Sequence, residues 1–118
     1  MVLSQRVSLF DTLPRSEASY SCSSCGTYLA LADELISKSF SGREGKAYLF
    51  HSVLNCQQGK NEERQLLTGL HVVADLKCKG CAHGVGWTYV RAYEPAQKYK
   101  ENKFILEKCS LHKNNGWL

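Results

Sequence analysis

The chain has 118 residues, enough for one domain with a modest core. Apolar residues make up 43% and charged residues 22%, a globular balance, and no apolar run reaches the length of a membrane span. The formal charge is +4 with every cysteine counted neutral. Four metal-bound thiolates and one divalent ion would together lower it to about +2, which argues weakly for a nucleic-acid partner.

Residues 1–18 are polar, with Pro14 and several serines, and predict a flexible N-terminal arm ahead of a domain over 19–118. The opening Met1 to Arg6 has no sustained apolar core behind it and does not read as a secretory signal. A reducing compartment, the nucleus and cytoplasm, is therefore expected, where thiols stay free to bind metal.

Tyr20 leads into Cys22-Ser-Ser-Cys25, and a second pair, Cys78-Lys-Gly-Cys81, follows after a gap of 52 residues. Two such pairs predict one tetrahedral zinc site with no open position, hence a structural one, ligated by Cys22, Cys25, Cys78 and Cys81. The gap is too long for a local zinc ribbon, so the metal must pin distant parts of one domain together. Gly26 and Gly80 suit tight turns that wrap backbone N–H groups around sulfur. Lys77 and Lys79 flank the second pair and either offset its negative charge or simply aid solubility. The other two of the six cysteines, Cys56 and Cys109, read as ordinary thiols. A disulfide framework is the competing reading of the even count.

The remainder reads mainly as strands. Tyr28–Leu31 is short and apolar, residues 41–45 form a turn, Ala47–Val53 has β character, and residues 57–61 form a loop. Arg64–Leu70 and His71–Leu76 continue the β pattern up to Cys78. Val85–Tyr93 alternates, with Val85, Trp87, Tyr89 and Arg91 on one face. Residues 95–102 suit one helical turn, and Phe104–Lys108 a last strand that also carries Cys109.

The Cys22-x2-Cys25…Cys78-x2-Cys81 spacing, together with Leu35-Ile-Ser-Lys-Ser-Phe40, Gly45-Lys-Ala-Tyr-Leu-Phe50, Leu66-Leu-Thr-Gly-Leu-His71, Val73-Ala-Asp75, Gly86-Trp87, Gln97-Lys-Tyr-Lys-Glu101 and Asn115-Gly116-Trp117, resembles the Yippee-like proteins over residues 20–117. That resemblance implies a mainly β fold, a β-tent of two antiparallel sheets joined at a four-cysteine zinc site. The fold is similar to the ligand-binding domain of cereblon and to methionine-R-sulfoxide reductases. It also implies a non-enzymatic zinc-binding interaction module whose partners are other proteins, among them ubiquitin-ligase or centrosome and spindle components. No catalytic residue comes with the pattern.

Three further readings compete. A reductase-like enzyme would use Cys109, but Lys108-Cys109-Ser110 does not resemble the reductase's Arg-x-Cys-x-Asn motif. A ligand or partner groove could be built from His71, Trp87 and Tyr89, although only Trp87 matches one wall of cereblon's three-tryptophan cage, and a core role for it competes. Lys98, Lys100 and Lys103 around Tyr99, followed by Lys108 and Lys113, could hold a nucleic-acid strand, but a solvated loop and edge strand explain them more cheaply and nucleic acid is not expected. His51 and His83 are expected at the surface or beside the metal ligands.

Overall fold

The computed structural model describes residues 18–114, so the arm expected over residues 1–18 lies outside it apart from Ala18, as does Asn115-Gly116-Trp117. Ten strands run in chain order: β1 Ser19–Cys22, β2 Tyr28–Leu31, β3 Leu35–Gly42, β4 Gly45–Phe50, β5 Cys56–Gln58, β6 Glu62–Leu66, β7 Gly69–Cys78, β8 Gly84–Ala92, β9 Phe104–Glu107 and β10 Leu111–Asn114. They form a three-stranded sheet, β10-β1-β2, and a seven-stranded sheet ordered β3-β4-β9-β8-β7-β5, with β6 also paired to β7. Every pairing is antiparallel. The expected two-sheet β architecture is the one found.

Alternation assigns the two faces of the large sheet. Tyr48, Phe50, Phe104 and Leu106 point to one face and pack with Tyr20, Cys22, Leu29 and Ala30 of the small sheet. Tyr20 anchors that layer, edge-on to Phe50 at 5.5 Å and to Tyr48 at 5.9 Å. The intervening residues Ala47, Leu49 and Ile105 point to the opposite face, where they join Val73 and Tyr89, with Phe40, Leu66 and Trp87 packed around them. Phe40 lies on an edge strand and Leu66 on β6 beyond the other side of the sheet, so the sheet curls to bring them into one cluster.

Several elements differ from the sequence expectation. β3 and β10 are additional strands, and β5 occupies part of the expected 57–61 loop. The Arg64–Leu70 and His71–Leu76 segments are in fact one hairpin. Leu66 pairs with Gly69 across a Leu67-Thr68 loop, and Gly69 supplies a φ of 117°. Cys109 is not on a strand; it is exposed in the 3-10 turn Lys108–Ser110 between β9 and β10. The expected turn after β8 is the 3-10 stretch Pro95–Lys100.

The face expected for Val85, Trp87, Tyr89 and Arg91 is broken twice. Leu76 pairs with Gly86 and Lys77 with Gly84, leaving Val85 without a residue opposite. Val72 pairs with Arg91 and Val73 with Tyr89, leaving Val90 in the same position. Each is a β-bulge, which rotates the following side chains. Val85 therefore packs toward the small sheet, while Trp87 and Tyr89 face the other way.

Candidate functional site

The two Cys-x-x-Cys segments fold alike because each is the same kind of turn at the end of a strand. Cys22 N–H donates to the carbonyl of Thr27 at 2.8 Å, and Gly26 N–H donates back to Cys22 at 2.8 Å. Cys78 N–H donates to His83 at 2.9 Å, and Ala82 N–H donates back to Cys78 at 2.7 Å. The residue four beyond the first cysteine takes positive φ in both, 82° at Gly26 and 64° at Ala82. Gly26 thus serves the turn conformation as expected, whereas in the second turn that conformation falls on an alanine, at a steric cost of about 1–2 kcal/mol. Gly80 serves close approach instead. A Cβ there would strike Thr27 Oγ1 and lie 2.9 Å from Cys25 Sγ, so its missing side chain lets the two turns meet.

All four Sγ atoms lie within 4.8 Å of one another, with Cys22–Cys81 at 3.7 Å and Cys25–Cys78 at 3.5 Å. A tetrahedral zinc with Zn–S bonds of about 2.3 Å requires sulfur–sulfur separations of about 3.8 Å. The set therefore fits that ion, and all six cysteines are free thiols, which retires the disulfide framework. The first cysteine of each pair is buried and the second exposed, so the cluster closes one edge of the intersheet core. Gly80 N–H also donates to Cys78 Sγ at 3.3 Å.

The thiols of the cluster hold their protons unequally. The Thr27 hydroxyl, 3.1 Å from Cys25 Sγ, leads in lowering that thiol to about 6, helped by Cys78 and Cys81. For Cys81 a backbone hydrogen bond at His83 favours the thiolate, but desolvation and the neighbouring sulfurs outweigh it and hold the thiol at about 12. Desolvation likewise raises Cys78. A divalent cation is what allows all four to ionise together.

Cys56 stands directly opposite Cys78 across β5 and β7, half-buried beside the cluster. Desolvation first, then the charge of Cys78, push its thiol up to about 12; Lys79 opposes them, and Cys22 adds a smaller effect. His51 and His83 are both exposed. His83 Nε2 lies 3.5 Å from Ser110 Oγ, adjacent to the second turn.

The groove residues separate. His71 (0% exposed) and Tyr89 (3%) lie inside the second cluster with rings 5.5 Å apart. His71 Nδ1 is 2.9 Å from the Gly69 carbonyl. Trp87 is half-buried, edge-on to Tyr89 at 6.4 Å. Of the three, only Trp87 lines the recess on this face, a cavity of about 570 Å³. The recess also receives Arg43 from the β3–β4 turn and Arg64 and Leu66 from β6, residues that sequence reasoning missed because only the curl of the sheet brings them together.

The lysine cluster is divided: Lys98, Tyr99 and Lys108 are exposed, and Lys100 is buried. Lys100 is 4% exposed, its Nζ over the rings of Tyr89 (5.2 Å) and Phe40 (5.4 Å) and 3.3 Å from Thr68 Oγ1. Lys98 donates to the Ala92 carbonyl at 2.6 Å, and Lys103 donates to Glu101 O at 3.4 Å. Among the described residues, no helix is long and apolar enough to cross a membrane.

A family profile described as "Yippee zinc-binding/DNA-binding /Mis18, centromere assembly" matches residues 18–117. The chain is 54% identical over 105 residues to protein yippee-like 4 of Homo sapiens, and equally to that of Mus musculus, covering 89% of this chain and 83% of the relative. A crystal structure of the Mis18 "Yippee-like" domain superposes with a TM-score of 0.65 at 14% identity, covering 84% of this chain and 96% of that one, a likeness of fold. With the paired turns, the four-sulfur cluster and the two sheets in place, the chain belongs to the Yippee-like family of zinc-binding domains.

Proposed function

We propose that this chain is a non-enzymatic protein-interaction module of the nucleus and cytoplasm, with Cys22, Cys25, Cys78 and Cys81 as the ligands of one structural zinc. The observation that carries the metal assignment is the four-sulfur cluster with near-tetrahedral spacing and no fifth ligand among the described residues. A closed four-thiolate set leaves no position for substrate, so the ion's contribution is cross-linking charge rather than chemistry. The exposed Cys109 lies in a turn whose backbone caps the first cysteine turn: Ser23 N–H donates to Ser110 O at 3.0 Å and Ser23 Oγ to Cys109 O at 3.3 Å. That gives Cys109's neighbourhood a structural role without invoking sulfoxide chemistry.

Proteins are favoured as partners over nucleic acid because the basic segment 98–103 is engaged internally and the metal lowers the net charge. Ubiquitin-ligase and centrosome or spindle components are the partners that family membership suggests. The test is affinity capture from nuclear and cytoplasmic extracts with the zinc-loaded chain beside Cys78→Ser. Partners held by the parent and lost by the variant support the module. A partner set that is unchanged in zinc-free protein contradicts it.

A further inference from the structure

We infer that the Trp87 recess is a binding site for an acidic peptide segment carrying one large apolar side chain. The inference rests on the protein-interaction reading and gives it a surface and a partner chemistry.

The recess lies on the face of the large sheet turned away from the small sheet and the cysteine cluster. Trp87 stands opposite Ile105 and Asp75, and both Ile105 and Val73 belong to the cluster on that face. Its walls come from opposite sides of the sheet, the β3–β4 turn on one and β6 on the other, so the curl of the sheet makes it concave. At about 570 Å³ it falls within the range of roughly 300–1,000 Å³ typical of ligand sites. Half-buried Trp87 and Leu66, with Val73 behind them, give it an apolar floor that one large side chain would cover.

Five charged side chains line the recess, and their engagement differs. The Arg64 guanidinium bridges Glu62 at 2.9 Å and Asp75 at 3.1 Å, which occupies both its charge and that of Asp75. Glu107 Oε1 accepts Glu44 N–H at 2.9 Å and thereby ties down the turn that carries Arg43. A side chain at Gly42 would collide with that same carboxylate, at 2.6 Å, so the turn packs directly on Glu107. Arg43 and Lys77 remain. Both are exposed, both line the recess, and neither has a carboxylate partner among the described residues. A backbone N–H does not neutralise Glu107, so the five lining charges sum to +1, with the two cations that lack an ion pair beside an apolar floor. Carboxylates on either side of an apolar anchor complement it, and charge complementarity of this kind sets partner choice and encounter rate. A phosphodiester strand fits less well, since two cations beside an apolar floor do not make the basic groove that follows a row of phosphates.

The test is selection from a library of capped random hexapeptides on the zinc-loaded full chain, followed by affinity measurement of the best peptide. Enriched sequences should place Asp or Glu beside Phe, Trp, Leu or Ile, and binding should weaken with added salt. Arg43→Glu, remote from the cysteine cluster, should weaken that peptide about tenfold or more at full zinc content, and Lys77→Glu should do the same. Trp87→Ala should abolish anchor selectivity. Neutral or basic winners, affinity unchanged in Arg43→Glu, or no enrichment at all would overturn the assignment. So would a single-stranded oligonucleotide that binds there more tightly than any peptide. If extract partners are captured in a zinc-dependent way yet retained by Arg43→Glu and Trp87→Ala, this inference fails while the interaction-module reading stands.

Discussion

Toward the small sheet, the large sheet presents Tyr48, Phe50, Leu76, Val85 and Leu106, all buried and joined by Cys22 and Cys78 at the edge of the layer. Toward the other side it presents Val73, Tyr89 and Ile105, but these share their face with a buried imidazole, a buried ammonium and an open recess. The first face has a second sheet and a metal cluster to close it. Among the described residues, the second is covered by its own curl and by the segment that brings in Lys100. The larger buried layer lies where the two sheets meet, and the polar face carries the recess proposed as a binding site.

The strongest way to break this contrast is to remove the metal. Zinc-binding free energies in small domains are on the order of 10 kcal/mol. Strong chelation, or Cys78→Ser, should therefore abolish cooperative thermal unfolding followed by circular dichroism. A zinc-free chain that still melts cooperatively near the parent temperature would contradict it. Phe50→Ala, in the intersheet core, should cost about 3–5 kcal/mol in denaturant titration. Trp87→Ala on the other face should cost clearly less, because Trp87 is only half-buried.

Gly80→Ala should cost about 1–3 kcal/mol and weaken zinc retention, since the added methyl must push apart Thr27 and Cys25. Gly84→Ala, with nothing within 4 Å of its Cβ, is the matched control and should stay within about 1 kcal/mol of the parent.

The smallest effects appear in alkaline solution, where the two faces respond with opposite sign. Burial lowers the Lys100 ammonium below its ordinary 10.5. Between its folded and unfolded values the unfolded chain holds more protons, so this group adds stability as pH rises. Desolvation raises the Cys56 thiol to about 12 from 9.0. Its contribution is fully present below about 9 and is lost as pH climbs toward 12. Lys100→Met should therefore steepen the alkaline loss of stability and Cys56→Ala should flatten it, read from denaturant midpoints above about pH 9. Identical slopes in both variants would remove the distinction between the faces.

The clustering of the four cysteines was legible in the sequence because paired cysteines carry their geometry in their spacing. The β character of the central segments was legible too, through alternation, although the hairpin turn at Leu67-Thr68 was not. The second face was not. Val85 and Trp87 are two apart and read as neighbours on one face, but a bulge is set by pairing with Leu76 and Lys77 and leaves no mark in the local pattern. Lys100 sits among lysines that look solvent-facing, and only the packing of Phe40 and Tyr89 reveals it as interior. The recess needs residues from β3, β6, β7, β8 and β9 together, a juxtaposition that exists only after the sheet curls. Ala82 was missed because alanine gives no signal of positive φ; its role emerges from comparison with Gly26.

The central claim is tested most directly by zinc-edge X-ray absorption on the purified chain together with metal quantification. The account predicts one zinc per chain with four sulfur neighbours at about 2.3 Å. A folded chain without zinc, or an ion whose shell contains nitrogen or oxygen in place of one of the four sulfurs, would contradict it.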